Sequence, residues 1–216
     1  MAPTTTPTLE LPRTPREPGR PAGGGPRGGG PGDGSAVPSS VSPARIGAWL
    51  LVAAITVLFA AFTSTYLVRR NAGDWPAVFL PPVLWLTTAV LLISSLTMEA
   101  ARRAAGRGTR ASLRRWLGIT TVLGLVFLGG QLVAWRQLAA SGVFMATNPH
   151  SAFFYLLTGA HGLHLAGGIG ALIFALTKAP AAPTHAAALD VADPVATYWH
   201  FLDGLWLYLF LILYGI

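Results

Sequence analysis

The sequence predicts an all-α membrane protein: five transmembrane helices in a bundle, preceded by a disordered tail, with the N-terminus cytoplasmic and the C-terminus external. Three observations carry this reading. Of 216 residues, 52% are hydrophobic and only 11% charged, whereas a soluble domain usually carries about a quarter charged residues. Five apolar runs follow one another, each long enough to cross a ~30 Å hydrocarbon core, which takes about 20 helical residues. The basic residues are divided unequally between the segments that join those runs.

Residues 1–43 form the tail. Pro, Gly, Thr and Arg dominate it, as in the run from Pro21 to Pro31. Such a composition cannot bury enough apolar surface to offset its ordering entropy, so disorder is expected. The segment lacks the apolar core and small-residue cleavage site of a signal peptide, since the first hydrophobic run begins only near Ile46.

Residues 44–216 form the helical domain, with spans at about 45–68, 78–101, 117–139, 152–177 and 195–216. Helix breakers separate them. The stretch from Asn71 to Pro76 ends the first, an arginine-rich loop over 102–115 divides the second from the third, Asn148-Pro149 precedes the fourth, and a segment bounded by Pro180 and Pro194 precedes the fifth.

Charge sets the orientation. With the N-terminus inside, the cytoplasmic segments hold Arg13, Arg16, Arg20, Arg27, Arg45, Arg102, Arg103, Arg107, Arg110, Arg114, Arg115 and Lys178, against Arg69, Arg70 and Arg136 outside. The net charge of +7 is therefore a topology signal, and no nucleic-acid partner is expected. The chain has no cysteine, which excludes disulfides, thiolate metal sites, c-type haem attachment and a cysteine nucleophile.

Polar groups inside the spans are the candidates for function, because each costs about 2.5–3.5 kcal/mol at mid-membrane if charged and must find a partner within the bundle. The fourth span carries Thr158, His161 and His164 at intervals of three, expected to stack on one helix face. The fifth carries His200 and Asp203. Gln131 lies deep in the third, and Thr87-Thr88 and Ser94-Ser95 lie in the second. At 1.5 Å per residue, Asp203 sits ~13 Å beyond Pro194 and His164 ~18 Å below Ala152. The two depths nearly coincide, so Asp203 is expected to face the fourth span and hydrogen-bond His164 or His161, with His200 on the same face. Gly162, Ala166 and Gly170 recur every four residues, a smooth row suited to close helix packing.

His161, His164 and His200 also raise metal ligation, as in a free-standing haem or metal membrane protein. Histidines three residues apart lie too close for two separate haems, and the glycines suggest helices in close contact, so an interhelical hydrogen-bond network is the favoured reading. Phosphate loops, a Rossmann fingerprint and a water-facing Ser-His-Asp set are missing. So are an inverted repeat and the ion-coupling carboxylates of a transporter. No catalytic, cofactor-binding or metal residue is assigned to this chain.

The order Phe153-Phe154, Thr158-Gly159, His161-Gly162, His164, followed by Tyr198-Trp199-His200-Phe201, Asp203 and Trp206, resembles the paired signature of subunit III of the haem-copper oxidases. Tyr66-Leu67-Val68-Arg69, Leu91 to Ser95, and Gln131 with Trp135 are similar too. The resemblance runs from about Ile46 to the C-terminus and leaves out the tail. It implies the five-helix form of a non-catalytic, cofactor-free subunit of a cytochrome c or quinol oxidase, in a bacterial inner membrane. Such a subunit packs on subunit I, and through the complex on subunit II, whose haem and copper carry out oxygen reduction coupled to proton translocation in aerobic respiration. It stabilises subunit I, sustains proton uptake and accommodates phospholipid. The accessory membrane subunit of nitric oxide reductase shares the five-helix pattern and is the alternative. The chain departs from the family at Ile55, where a buried glutamate is common, at Ala134, where a carboxylate is common, and at Thr87, in place of an asparagine. Asp193, seven residues before His200, is the candidate for a further family glutamate.

Overall fold

A computed structural model describes residues 42–71, 81–145 and 149–214, all within one compact unit. The tail, the segment around Asp74 and Trp75, and the first residues of the expected second span lie outside the described residues. Five helices make up the fold: α1 (Pro43–Arg70), α2 (Val83–Gly106), α3 (Arg110–Ala140), α4 (Pro149–Lys178) and α5 (His185–Tyr214). All five are long and apolar enough to cross a membrane.

The helices run further than the apolar runs that revealed them. The arginine-rich loop is mostly helical: α2 continues to Gly106 and α3 begins at Arg110, leaving a three-residue connection. Gly108 makes that connection possible with φ of +68°, a left-handed conformation that costs a side-chain-bearing residue steric strain. α5 begins ten residues before the expected start at 195 and runs straight through Pro194. A proline lacks an N–H and crowds the carbonyl four residues back, so it was read as a boundary. Here it sits about two and a half turns inside the helix, next to Asp193.

α5 is the pivot of the bundle. It lies against α1, α2 and α4, while α3 lies against α2 and α4, and α1 touches only α4 and α5. The core follows from this arrangement: Trp199, Leu202, Leu209 and Trp206 on α5 meet Leu91 and Met98 on α2, Leu117 and Phe127 on α3, and Leu157, Leu165 and Leu172 on α4, all with 1% exposure or less. α1 is the least buried helix. Val57, Val68 and Leu50 are about two-thirds exposed or more, as suits a helix whose outer face meets lipid.

Close approach is made by glycines other than the predicted row. A Cβ on Gly124 of α3 would come within 2.6 Å of Trp199, and one on Gly168 of α4 within 3.0 Å of Leu202 and 3.4 Å of Trp199. One on Gly130 would collide with the Thr87 methyl group. By contrast Gly170 has nothing within 4 Å, Ala166 is exposed, and Gly162 makes only ordinary contact with Leu128. The row of Gly162, Ala166 and Gly170 thus turns outward and packs no helix of this chain closely.

Candidate functional site

The polar groups converge on the seam between α2 and α5 rather than between α4 and α5. The two helices are antiparallel, and hydrogen bonds cross the seam like rungs. From one end to the other they are Arg102 Nε to Asp193 Oδ1 at 2.9 Å, Ser95 Oγ with His200 Nδ1 at 2.7 Å, Trp199 Nε1 to Ser94 Oγ at 3.1 Å, Trp206 Nε1 to Thr88 Oγ1 at 2.9 Å, and Trp85 Nε1 to Tyr214 Oη at 3.1 Å. As the α2 number falls from 102 to 85 the α5 number climbs from 193 to 214, with the adjacent pairs Ser95/His200 and Ser94/Trp199 sharing one level, so a single antiparallel register satisfies all five. Three rungs pair an indole N–H with a hydroxyl, and for Trp199 and Trp206 this hides a large apolar ring while giving its N–H an acceptor.

One end of the seam is closed by charge. Asp193 accepts from Arg45 of α1 at 2.6 Å as well as from Arg102 of α2. Glu99 pairs with Arg103 at 3.0 Å and Arg102 at 3.7 Å. Asp193 is therefore a three-helix tie, a role its sequence position did not reveal. The two arginine side chains are 42% and 49% exposed, so solvent screens the attraction and Asp193→Ala is expected to cost only about 1 kcal/mol. Unfolding of the chain measured in low and high salt checks this: the difference between variant and wild type should shrink as salt rises.

The three histidines face three different neighbours. His161 is fully buried, its ring 5.2 Å from Trp206 and 6.0 Å from Phe127. His164 turns to α1, 5.8 Å from the Phe59 ring, and its Nδ1 meets the Ala160 carbonyl at 2.7 Å. His200 turns to Ser95 of α2. The expected single face of Thr158, His161 and His164 is not formed, because a step of three residues advances 300° and each side chain is displaced by about 60° from the last. Thr158 accordingly reaches α3, accepting from Trp135 Nε1 at 3.1 Å. Among the described residues no three His, Asp or Glu side chains come together as a metal site.

Asp203 corrects the expected pairing. It is 3% exposed, yet neither carboxylate oxygen has a hydrogen-bond partner among the described residues, and neither nitrogen of His161 has one either. The depth was right, for Trp206 is level with His161 and antiparallel α4 then brings His164 level with Asp203. The direction was not. Instead the carboxyl lies beside Ser95, whose hydroxyl is engaged by His200. Gln131 is 4% exposed and also unpartnered.

The motif aromatics brace this arrangement. Tyr198 donates its hydroxyl to the His164 carbonyl at 3.1 Å, which ties α5 to α4. Phe153 packs edge-on against Tyr66, whose hydroxyl reaches the Ile212 carbonyl at 3.3 Å. Phe154 is fully buried and its carbonyl accepts from Thr158 at 2.6 Å. Trp199, Trp206, Ser94 and Thr88 were singled out in the sequence, and Trp85 was not. What the sequence did not disclose was that they pair with one another.

Comparison with known proteins agrees with the motif pattern. The family described as cytochrome c oxidase subunit III matches residues 43–215. A probable cytochrome c oxidase subunit 3 of Mycobacterium bovis is 35% identical over 180 residues, covering 79% of this chain and 87% of the relative. Its counterpart in Nocardia farcinica is 34% identical over 176 residues, covering 78% and 86%. The cytochrome bo(3) ubiquinol oxidase subunit 3 of Pseudomonas aeruginosa is 31% identical over 172 residues, covering 78% and 82%. A family match across nearly the whole helical domain and relatives of this identity and coverage mean that the chain belongs to the haem-copper oxidase subunit III family, as a multi-pass inner-membrane component of an oxidase complex.

Proposed function

We propose that the chain carries no cofactor of its own and acts by packing against subunit I of its oxidase, with subunit II in the same complex, to keep the catalytic subunit stable and supplied with protons during turnover. The observation that carries this reading is the commitment of these motif residues to interhelical structure: His200, Trp199, Trp206, Tyr198 and Thr158 each place a polar atom in a hydrogen bond with a neighbouring helix of the same chain. Groups so engaged hold a shape and leave little for binding metal or haem. The outward row of Gly162, Ala166 and Gly170 is smooth enough for a partner helix, and is assigned here to subunit contact.

Affinity purification of the tagged chain from its native membrane tests the reading. Haem-bearing subunit I and subunit II should co-purify, and a complex made without this chain should start at full rate and lose activity during turnover. Recovery of a nitric oxide reductase instead, or of metal bound stoichiometrically to this chain alone, would overturn it. Most relatives named above are cytochrome c oxidase subunits, which favours cytochrome c over quinol as the complex's donor.

The proposed orientation puts the Arg107–Thr109 connection and the α4–α5 connection in the cytoplasm, the C-terminus outside and the preceding tail inside. It rests on the concentration of arginine at one end of the bundle. A reporter fused after Arg107 should read cytoplasmic and one after Ser141 external. The opposite result for either would reverse the assignment. Part of a phospholipid acyl chain has room at the other end, where Leu132, Trp135, Ala139, Phe144, Met145 and Tyr155 line a mostly apolar cavity of about 420 Å³ with Arg136 beside them.

A further inference from the structure

Asp203 is the one carboxyl group of the described residues that lies deep in the bundle with no partner on either oxygen. An ionised carboxylate so placed would bear a large desolvation cost with nothing to offset it. A carboxyl that carries a proton would not. The groups beside it form a line toward the arginine-bearing end of the bundle. Ser95 adjoins the carboxyl, and His200 Nδ1 holds the Ser95 hydroxyl at 2.7 Å. His200 is half-buried and within electrostatic reach of Glu99, one turn beyond Ser95 on α2, whose side chain is 33% exposed.

We propose that this seam is a proton relay in which His200 takes up a proton from the aqueous end of the bundle, Ser95 passes it inward, and Asp203 holds it. This goes beyond the packing role above and concerns this chain alone. The transfer balances. Imidazolium His200 gives its Nδ1 proton to Ser95 Oγ while the Ser95 hydroxyl proton moves to an Asp203 oxygen. One N–H and one O–H bond break, two O–H bonds form, the serine is regenerated, and His200 is left neutral with its remaining proton on Nε2. A ring flip, or exchange of that proton through water, resets it. Because Ser95 is bonded to His200 and not to the carboxyl, the last transfer needs a small rotation of the Ser95 or Asp203 side chain, a motion available to staggered rotamers.

The charged and titratable surroundings are consistent with a relay that ends at Asp203. On α2 they are Glu99, Arg102 and Arg103, and on α1 Arg45, all at the charged end. On α5 Asp193 is held by two arginines, and Tyr198 is bonded to the His164 carbonyl. On α4 His161 is stacked on Trp206 and His164 is turned to α1. α3 has no titratable side chain between Arg115 and Arg136. None of these is a charged partner that would hold Asp203 ionised.

Infrared spectroscopy of the full chain in lipid nanodiscs tests the proposal without its partner subunits, so failure of the packing role leaves the test intact. With the exposed carboxyl groups already ionised, a carboxylic-acid C=O band should still be present, fade as pH rises further, and be missing from D203N. On transfer to heavy water the band should shift quickly in the wild type. In S95A and in H200Q, which leave the carboxyl in place, the shift should slow by about tenfold or more, equivalent to about 1.4 kcal/mol on the barrier. A spectrum with no acid band beyond that of D203N would overturn the proposal. So would exchange in S95A and H200Q as fast as in the wild type, which also decides the matter if D203N fails to fold.

Discussion

Trp199→Ala is expected to lower the stability of the helical domain by about 2–4 kcal/mol. A buried tryptophan truncated to alanine in a water-soluble core costs about 3–5 kcal/mol, part of it the transfer of apolar surface from water and part the cavity left behind. In a membrane the first part shrinks, because lipid tails are as apolar as the core, whereas the loss of packing remains. Trp199 has 0% exposure and fills a slot shaped for it, with Gly124 of α3 on one side and Gly168 of α4 on another. Two glycines cannot collapse onto the space an indole leaves. Unfolding of the chain in nanodiscs or by titration with a denaturing detergent measures the loss. Trp199→Phe separates the ring from its N–H: it should recover most of the stability while giving up the bond to Ser94, which keeps its own bond to the Leu91 carbonyl at 2.7 Å.

Gly124→Ala is expected to destabilise by about 1–3 kcal/mol, the usual range for overpacking, even though alanine is the better helix former by about 1 kcal/mol. The added methyl would lie 2.6 Å from the indole of Trp199. The ring has no easy escape, since its N–H is bonded to Ser94 and its other flank rests 3.4 Å from where a Cβ on Gly168 would stand. Gly170→Ala is the control: with nothing within 4 Å of its Cβ, the same substitution should be neutral or slightly stabilising in the isolated chain. Thermal unfolding of both variants side by side checks the sign. Destabilisation by Gly170→Ala as large as by Gly124→Ala would show that the contacts assigned to these glycines are wrong.

These glycines show where the sequence was legible and where it was not. The existence, number and order of the helices could be read from apolar length alone, because a membrane span leaves so little choice of structure. Their ends could not, since hydropathy marks where lipid stops and α5 continues ten residues past that point as far as His185. A spacing of four reveals a smooth row but not the direction in which it points, and Gly162, Ala166 and Gly170 point away from the bundle. Gly124 and Gly168, on different helices, bear no relation in sequence yet meet at one indole. Depth is similarly legible and azimuth is not: Asp203 lies level with His164 as the rise per residue requires, but turns to α2. Ile55 and Ala134, where relatives of this family often carry carboxylates, are simply buried apolar positions here.

The hydroxyls of α2 have a consequence for the order of assembly. Thr88 and Ser94 each donate to a carbonyl of their own helix, Leu84 at 2.7 Å and Leu91 at 2.7 Å. Their protons are thus provided for as soon as α2 is helical, before any neighbour arrives, and only lone pairs remain on offer. At these two positions α2 can wait in lipid without an orphaned donor. α5 cannot, because the indole N–H groups of Trp199 and Trp206 find their acceptors on a helix made more than 90 residues earlier in the chain. The last of these five spans to be synthesised is therefore the one that most needs the others in place, and its docking completes the five-helix bundle rather than nucleating it.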